Sequence, residues 1–205
     1  MRTAAATVFV VDDDASILRA MTRLFKSEGL AVETFPSPRE FLERPPHDGP
    51  GCLVLDLQMP ELDGLEVQRA LAEAGRDLPI VFVSGHGNVP ASVEAMKAGA
   101  LDFLTKPFQD ERLLAVIRGG IALSTARRAE RAELRSLQDR IGSLTPRERE
   151  VFRCVVQGLP NKKIAGLLGT AEKTVKVHRA RVMEKMKAAS LADLVRMSEH
   201  AGEGG

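Results

Sequence analysis

The chain has 205 residues, 44% hydrophobic and 28% charged, which suits a soluble globular protein and is enough for one large domain or two small ones with real cores. No apolar run approaches membrane-spanning length, and two cysteines in separate apolar surroundings, Cys52 and Cys154, argue against a disulfide framework and for reduced thiols in the cytoplasm. The formal charge of +1 hides a partition: residues 1–120 carry 12 Lys/Arg against 18 Asp/Glu, residues 121–140 carry 5 against 3, and residues 141–205 carry 12 against 7, so nucleic acid is the first expected partner of the basic end.

In chain order, the first 120 residues alternate strand and helix. The apolar run from Thr7 to Val11 has only Arg2 before it and ends in Asp12-Asp13-Asp14, which reads as a first strand rather than a signal peptide. Strands follow near 31–35, 52–56, 80–84 and 101–104, with helices near 15–28, 38–43, 64–73, 89–98 and 110–122 and stops at Gly29, Gly75 and Gly99. Residues 44–51, rich in Pro and Gly, read as a surface loop without assigned chemistry.

This alternation predicts an α/β doubly wound, five-stranded parallel sheet covered on both faces. Polar groups stand at the carboxyl ends of four of its strands: Asp12-Asp13-Asp14, then Asp56 after Cys52-Leu53-Val54-Leu55, then Ser84-Gly85, then Lys106-Pro107. Ligands of open doubly wound sheets bind at that edge, so acids, a hydroxyl and an amine are expected to converge on one pocket.

Residues 121–141 contain strong helix formers and neither Gly nor Pro, which predicts a helical linker. Leu134, Leu137, Ile141 and Leu144 form a short seam that suits docking on the next domain and self-pairing equally. The expected divisions are a first domain over 7–121, a linker over 122–139 and a small all-α domain over 140–203, with Ala201 to Gly205 a disordered tail.

Within the last domain, Thr145-Pro146-Arg147-Glu148 carries a capping residue, a proline at the first helical position and a glutamate at the third. A short helix capped by Asn161 runs to Leu168, Gly169 ends it, and a longer helix follows near 172–187 before a last one near 190–199. Short helix, glycine turn and basic helix make a helix-turn-helix. At about 100° per residue, Val175, Val182 and Met186 share one face of the long helix, while Lys173, Lys176, Val177 and Ala180 share the other. Lys176 and Val177 are the expected base-edge readers, and Thr174, His178, Arg179, Arg181 and Lys185 flank them where phosphates would lie. His178 also suits a place at the edge of the core.

These residues carry a resemblance across nearly the whole chain. Asp12-Asp13, Asp56 with Met59-Pro60 and Asp63-Gly64, Ser84-Gly85-His86-Gly87 and Asp102-Phe103-Leu104-Thr105-Lys106-Pro107-Phe108 resemble a bacterial response-regulator receiver domain of flavodoxin-like fold. Leu144-Thr145-Pro146-Arg147-Glu148-Arg149-Glu150-Val151, Asn161-Lys162, Ile164-Ala165 and Thr174-Val175-Lys176-Val177-His178-Arg179 resemble the LuxR-type helix-turn-helix, and the pairing resembles the FixJ-like response regulators.

The resemblance implies that Asp56 takes a phosphoryl group from a sensor histidine kinase. It assigns Mg²⁺ to Asp13, Asp56 and the backbone carbonyl of Gln58, with Asp12 acting through ordered water, and it gives Lys106 and Ser84 to the phosphate oxygens. Ser84 and Phe103 become the switch, and a tyrosine common in the family is replaced by Phe103, which excludes a switch that depends on a phenolic hydroxyl. The implied partners are double-stranded promoter DNA, RNA polymerase and, on phosphorylation, a second copy, without a membrane. Catalysis is limited to self-catalysed phosphotransfer and autodephosphorylation, so the chain is not expected to be an enzyme. Asp14 is extra to the motif and receives no role.

Two rival classes are open. Asp12-x-Asp14 is reminiscent of aspartate-nucleophile phosphatases, but that reading leaves Asp56 idle, lacks Thr or Val at Ser16 and has no later paired acids or room for a cap domain. An adaptor whose basic helices bind protein would differ in salt response, because phosphate contacts lose affinity steeply as salt is added.

Overall fold

The computed structural model describes residues 6–85 and 89–202, and these fold as two compact units that divide between Arg128 and Ala129. The first unit is built on β1 (Thr7–Val11), β2 (Ala31–Phe35), β3 (Gly51–Asp56), β4 (Ile80–Ser84) and β5 (Asp102–Thr105), all parallel in the order β2-β1-β3-β4-β5. Every residue of β1, β3 and β4 is buried, as strands covered on both faces require, and this is why their sequences are apolar runs rather than alternations.

Helices α1 (Ala15–Ser27) and α5 (Asp110–Gly142) cover one face, where Leu18, Met21, Phe25, Leu113 and Ile117 pack on Val8, Val10, Val54, Val81 and Val83. On the other face α2 (Pro38–Glu43), α3 (Gly64–Glu73) and α4 (Val89–Lys97) pack Phe41, Leu65, Val67, Leu71 and Ala95 against Phe9, Leu53, Leu55 and Phe82. Residues 44–51 do more than cross the surface. The Arg44 guanidinium lies 4.0 Å over the Phe9 ring and 4.8 Å over that of Phe41, and His47 meets Phe9 edge-on, so the loop covers the end of the core.

The expected helix over 110–122 and the linker over 122–139 are one element, the 33-residue α5. Gly119-Gly120 does not interrupt it, because Gly120 is where α5 passes the sheet: a Cβ there would lie 2.6 Å from Cys52 Sγ. Beyond 121 the helix is still tied to the first unit, where buried Ser124 Oγ accepts the Gly51 N–H at 3.2 Å and Arg127 pairs with Asp77 at 2.6 Å. Residues 122–128 therefore belong to the first unit and 129–139 to the second.

The second unit joins the end of α5 to α6 (Pro146–Val156), α7 (Asn161–Leu167), α8 (Glu172–Met186) and α9 (Leu191–His200). Leu137, Ile141 and Leu144 are buried in its core with Val151, Phe152, Ile164, Val175, Val182, Met186 and Leu194, so the leucine seam docks on its own domain. Thr145 and Glu148 form the expected capping box at the start of α6. Asn161, by contrast, does not cap α7. Pro160 occupies that position without a side-chain bond, and Asn161 Oδ1 instead accepts from Arg179 at 3.1 Å, joining the two helices of the turn. Of the expected tail, Ala201 and Gly202 close the last helix, and 203–205 lie outside the described residues.

Candidate functional site

The strand order reverses between β1 and β3, and the parallel register that sets Val11 beside Leu55 brings the next residues, Asp12 and Asp56, to the mouth of that crevice. Asp12 is 1% exposed, Asp56 8%, and Asp13 faces solvent. One carboxylate oxygen from each of the three lies within 4.8 Å of the others. Lys106, carried past the end of β5, donates its Nζ to Asp12 Oδ2 at 2.7 Å and to Asp56 Oδ2 at 3.4 Å. Its peptide bond to Pro107 is cis.

Burial raises the Asp56 carboxyl above its ordinary pKa, Lys106 pulls it down, and the neighbouring Asp12 pushes it up again, with a net rise. For Lys106 burial alone would favour the neutral amine. The hydrogen bond and charge of Asp12, assisted by Asp56, outweigh it and keep the ammonium more firmly protonated than usual. Three acids against one ammonium leave the pocket with an excess of negative charge and hard oxygen donors.

The residues around the acids hold them in place. Asp14, extra to the motif and without an expected role, is the N-cap of α1: its Oδ1 accepts from the Ser16 N–H at 2.7 Å and the Ser16 hydroxyl at 2.6 Å, while its own N–H donates to Asp12 Oδ1 at 2.9 Å. With that carboxylate spent on the helix start, the phosphatase reading loses its second catalytic acid. An Asp two residues before a Ser at a helix start was the available signal. After β3 the chain turns on Asp63, whose capping box with Glu66 opens α3. Gly64 follows because a Cβ there would come within 2.6 Å of the Asp56 carbonyl oxygen and 2.8 Å of the Phe82 ring, so only glycine lets α3 start this close to the acid.

Gln58 is exposed and its backbone N–H serves the Asp56 carboxylate. Ser84 ends β4 fully buried, and its carbonyl accepts the Lys106 N–H at 2.7 Å. Phe103 is half-buried and stacks on Phe82, with ring centroids 6.3 Å apart. His86 and Gly87 of the expected motif lie outside the described residues.

In the second unit α8 has the two faces its sequence predicts. Val175, Val182 and Met186 are fully buried, while Lys173, Thr174, Lys176, Val177, Ala180 and Arg181 are exposed. Arg179 is half-buried against Asn161, and His178 sits at the core edge with Nδ1 buried. Lys185 departs from expectation. Its ammonium donates to Glu148 Oε2 at 2.6 Å and to the Ser143 carbonyl at 3.1 Å, which removes it from the row of groups free to meet phosphates. Glu148 is 2% exposed, and the Lys185 hydrogen bond, with the Thr145 N–H, holds its carboxyl down at about 2.

Comparison with known families matches residues 8–118 to the response regulator receiver domain and residues 142–198 to the bacterial regulatory proteins of the luxR family. The chain belongs to the response regulators. Nodulation protein W of Bradyrhizobium diazoefficiens is 47% identical over 197 residues, covering 96% of this chain and 87% of that protein. Transcriptional regulatory protein FixJ of Azorhizobium caulinodans is 43% identical over 195 residues, covering 95% of this chain and 92% of the relative. The solved structure of response regulator StyR superposes with a TM-score of 0.89 at 47% identity, covering 96% of this chain and 99% of that one.

This response regulator thus joins a receiver domain to a LuxR-type DNA-binding domain, an organisation that implies transcription regulation. Receiver domains bind Mg²⁺ at an acidic pocket, and the cluster of Asp12, Asp13 and Asp56 fits such an ion: carboxylate oxygens are the donors Mg²⁺ prefers, and the excess negative charge needs a cation. Among the described residues no helix is long and apolar enough to cross a membrane.

Proposed function

We propose that this response regulator works in the cytoplasm, accepts a phosphoryl group on Asp56 from a sensor histidine kinase, dimerises, and binds promoter DNA to regulate transcription with RNA polymerase as a further partner. The observation that carries the proposal is the Asp56 carboxylate at the end of β3, beside two further acids and 3.4 Å from the Lys106 ammonium. Asp13, Asp56 and the Gln58 carbonyl would hold Mg²⁺, and Asp12 would act on it through water; bound there, the ion neutralises charge shared by attacking carboxylate and incoming phosphate.

The chain's own residues do the rest. An Asp56 oxygen forms the new bond to phosphorus as the bond from phosphorus to the kinase histidine nitrogen breaks, and the histidine leaves carrying its electron pair. Lys106 turns from the carboxylates to the phosphate oxygens, and the Ser84 hydroxyl donates to one of them. The movement of Ser84 frees space into which Phe103 follows. That repacks the face made by α4, β5 and the start of α5, where Val93 and Met96 are already 46% and 45% exposed and Leu101 is half-buried, and two receivers then pair.

On α8, Lys176 and Val177 read base edges in the major groove, with Lys173, Thr174, His178, Arg179 and Arg181 serving the backbone. Lys185 is left out, since Glu148 holds it. Lys176→Ala is expected to weaken binding by about 1–3 kcal/mol on the preferred sequence and to flatten the preference, while Arg181→Ala weakens all sequences alike and lowers the salt slope by roughly one. Titration of selected and random duplexes at several salt concentrations measures both. Equal loss of preference for the two variants would overturn the assignment of the reading face, and binding indifferent to salt would favour a protein partner over DNA.

A further inference from the structure

Helix α4 is thinly attached to the receiver. Among its described residues only Ala95 is buried in the core, whereas Val89 is 69% exposed, Val93 46% and Met96 45%. Its carboxyl end is held from outside. Gln68, on α3 and 5% exposed, donates its amide Nε2 to the Ala95 carbonyl at 3.2 Å and to the Ala98 carbonyl at 3.1 Å. The Ala95 carbonyl also takes the Ala100 N–H at 3.0 Å, and the Ala98 N–H goes to Glu94 at 2.9 Å, so the amide joins the last turn of α4 where the helix ladder runs out.

The orientation of the amide is fixed by its neighbours. Two carbonyl acceptors accept hydrogen bonds only from the NH₂ end, so the oxygen must point the other way. That oxygen, Gln68 Oε1, is buried without a hydrogen-bond partner among the described residues. Methionine or leucine would fill the same volume on α3 without burying an unsatisfied acceptor, so packing of the core does not account for glutamine here. Its two bonds to α4 do.

We infer that Gln68 is a positioning residue that latches α4 in its unphosphorylated place and so sets the concentration at which unphosphorylated receivers pair. The inference rests on the proposal that phosphorylation repacks the α4 face. Nothing in the latch touches Asp56, Lys106 or the acids beside them, so its loss acts on the poise of the face and leaves the phosphoacceptor intact.

The test uses the full chain and two variants that lose the donors, Gln68→Met and Gln68→Glu, with Gln68→Lys, which returns a donor to the same carbonyls. Hydrogen exchange of the amides in the last turn of α4 is expected to quicken on the order of tenfold in the first two and to return toward wild type in the third. Analytical ultracentrifugation without phosphodonor should find dimer at several-fold lower concentration in Gln68→Met and Gln68→Glu but not in Gln68→Lys. Unchanged exchange in α4 overturns the latch. Faster exchange with no change in dimerisation, or no rescue by lysine, reduces Gln68 to a structural residue and overturns it as well. Wild-type protein treated with acetyl phosphate and Mg²⁺ is the control: if it gains neither mass nor DNA affinity, the underlying reading of the receiver fails, and the latch then stands or falls on exchange and lysine rescue.

Discussion

Asp56→Asn is expected to abolish labelling by a small phosphodonor, while wild-type protein with Mg²⁺ gains one acyl phosphate that acid and base both cleave. The loss should be complete, because the amide oxygen is no nucleophile and the neighbouring acids have other tasks: Asp12 accepts from Lys106 and the Asp14 N–H, Asp14 caps α1, and Asp13 would be held by the metal. Misfolding would not be the cause. The fold raises the Asp56 pKa, so its charged form is the one that folding disfavours, and at neutral pH that charge subtracts from stability. The asparagine variant should unfold at the same temperature as metal-free wild type or above it. Chelation, or Asp13→Ala, should also suppress labelling while Asp56 remains. Mass spectrometry of intact protein reads all three, and undiminished label on Asp56→Asn would move the phosphoacceptor to another residue.

Much of this pocket was readable because its parts obey local rules. A parallel strand buried on both faces is an apolar run, so β1, β3 and β4 stood out, and the polar residues that end them had to lie at one edge of the sheet. Thr145 and Glu148 are three residues apart and their capping box was legible for the same reason. What was missed is non-local or lacks a local mark. Nothing in the composition near 121 separates the end of a receiver helix from a linker, because both are good helix, and the tie of Ser124 to Gly51 spans 73 residues. Asn161 looks like a cap until Arg179, 18 residues on, takes its side chain. Lys185 looks like one more cation on a basic helix, and only the fold brings Glu148 to it from 37 residues away.

That pair carries the second large expectation. Lys185→Met should destabilise the DNA-binding domain by about 1–3 kcal/mol, since it leaves a carboxylate that is 2% exposed with only the Thr145 N–H and hydroxyl to hold it, while the Lys185 side chain itself is 35% exposed. For a small domain that is a large part of the whole. The same pair dictates an acid limit. The Glu148 carboxyl falls from the usual 4.5 to about 2 on folding, so its contribution is fully present above 4.5 and is lost as the pH drops from there toward 2. Glu148→Gln together with Lys185→Met should recover part of the loss, because no buried charge is then left unpaired. Hydrogen exchange of α6 and α8 in the full chain follows each variant, and a Lys185→Met protein as protected as wild type would mean that the pair is worth no more than an exposed one.

The claim at the centre is that one carboxylate controls DNA binding. The direct measurement takes a duplex selected from a random pool by phosphodonor-treated protein, then titrates it with wild type and Asp56→Asn, each with and without acetyl phosphate and Mg²⁺, while ultracentrifugation follows mass. Two modules held one helical turn apart add their contacts, so treated wild type should become a dimer and bind at least tenfold more tightly than untreated, and Asp56→Asn should do neither. Equal affinity of treated and untreated wild type, or a gain that survives in Asp56→Asn, would contradict control through Asp56.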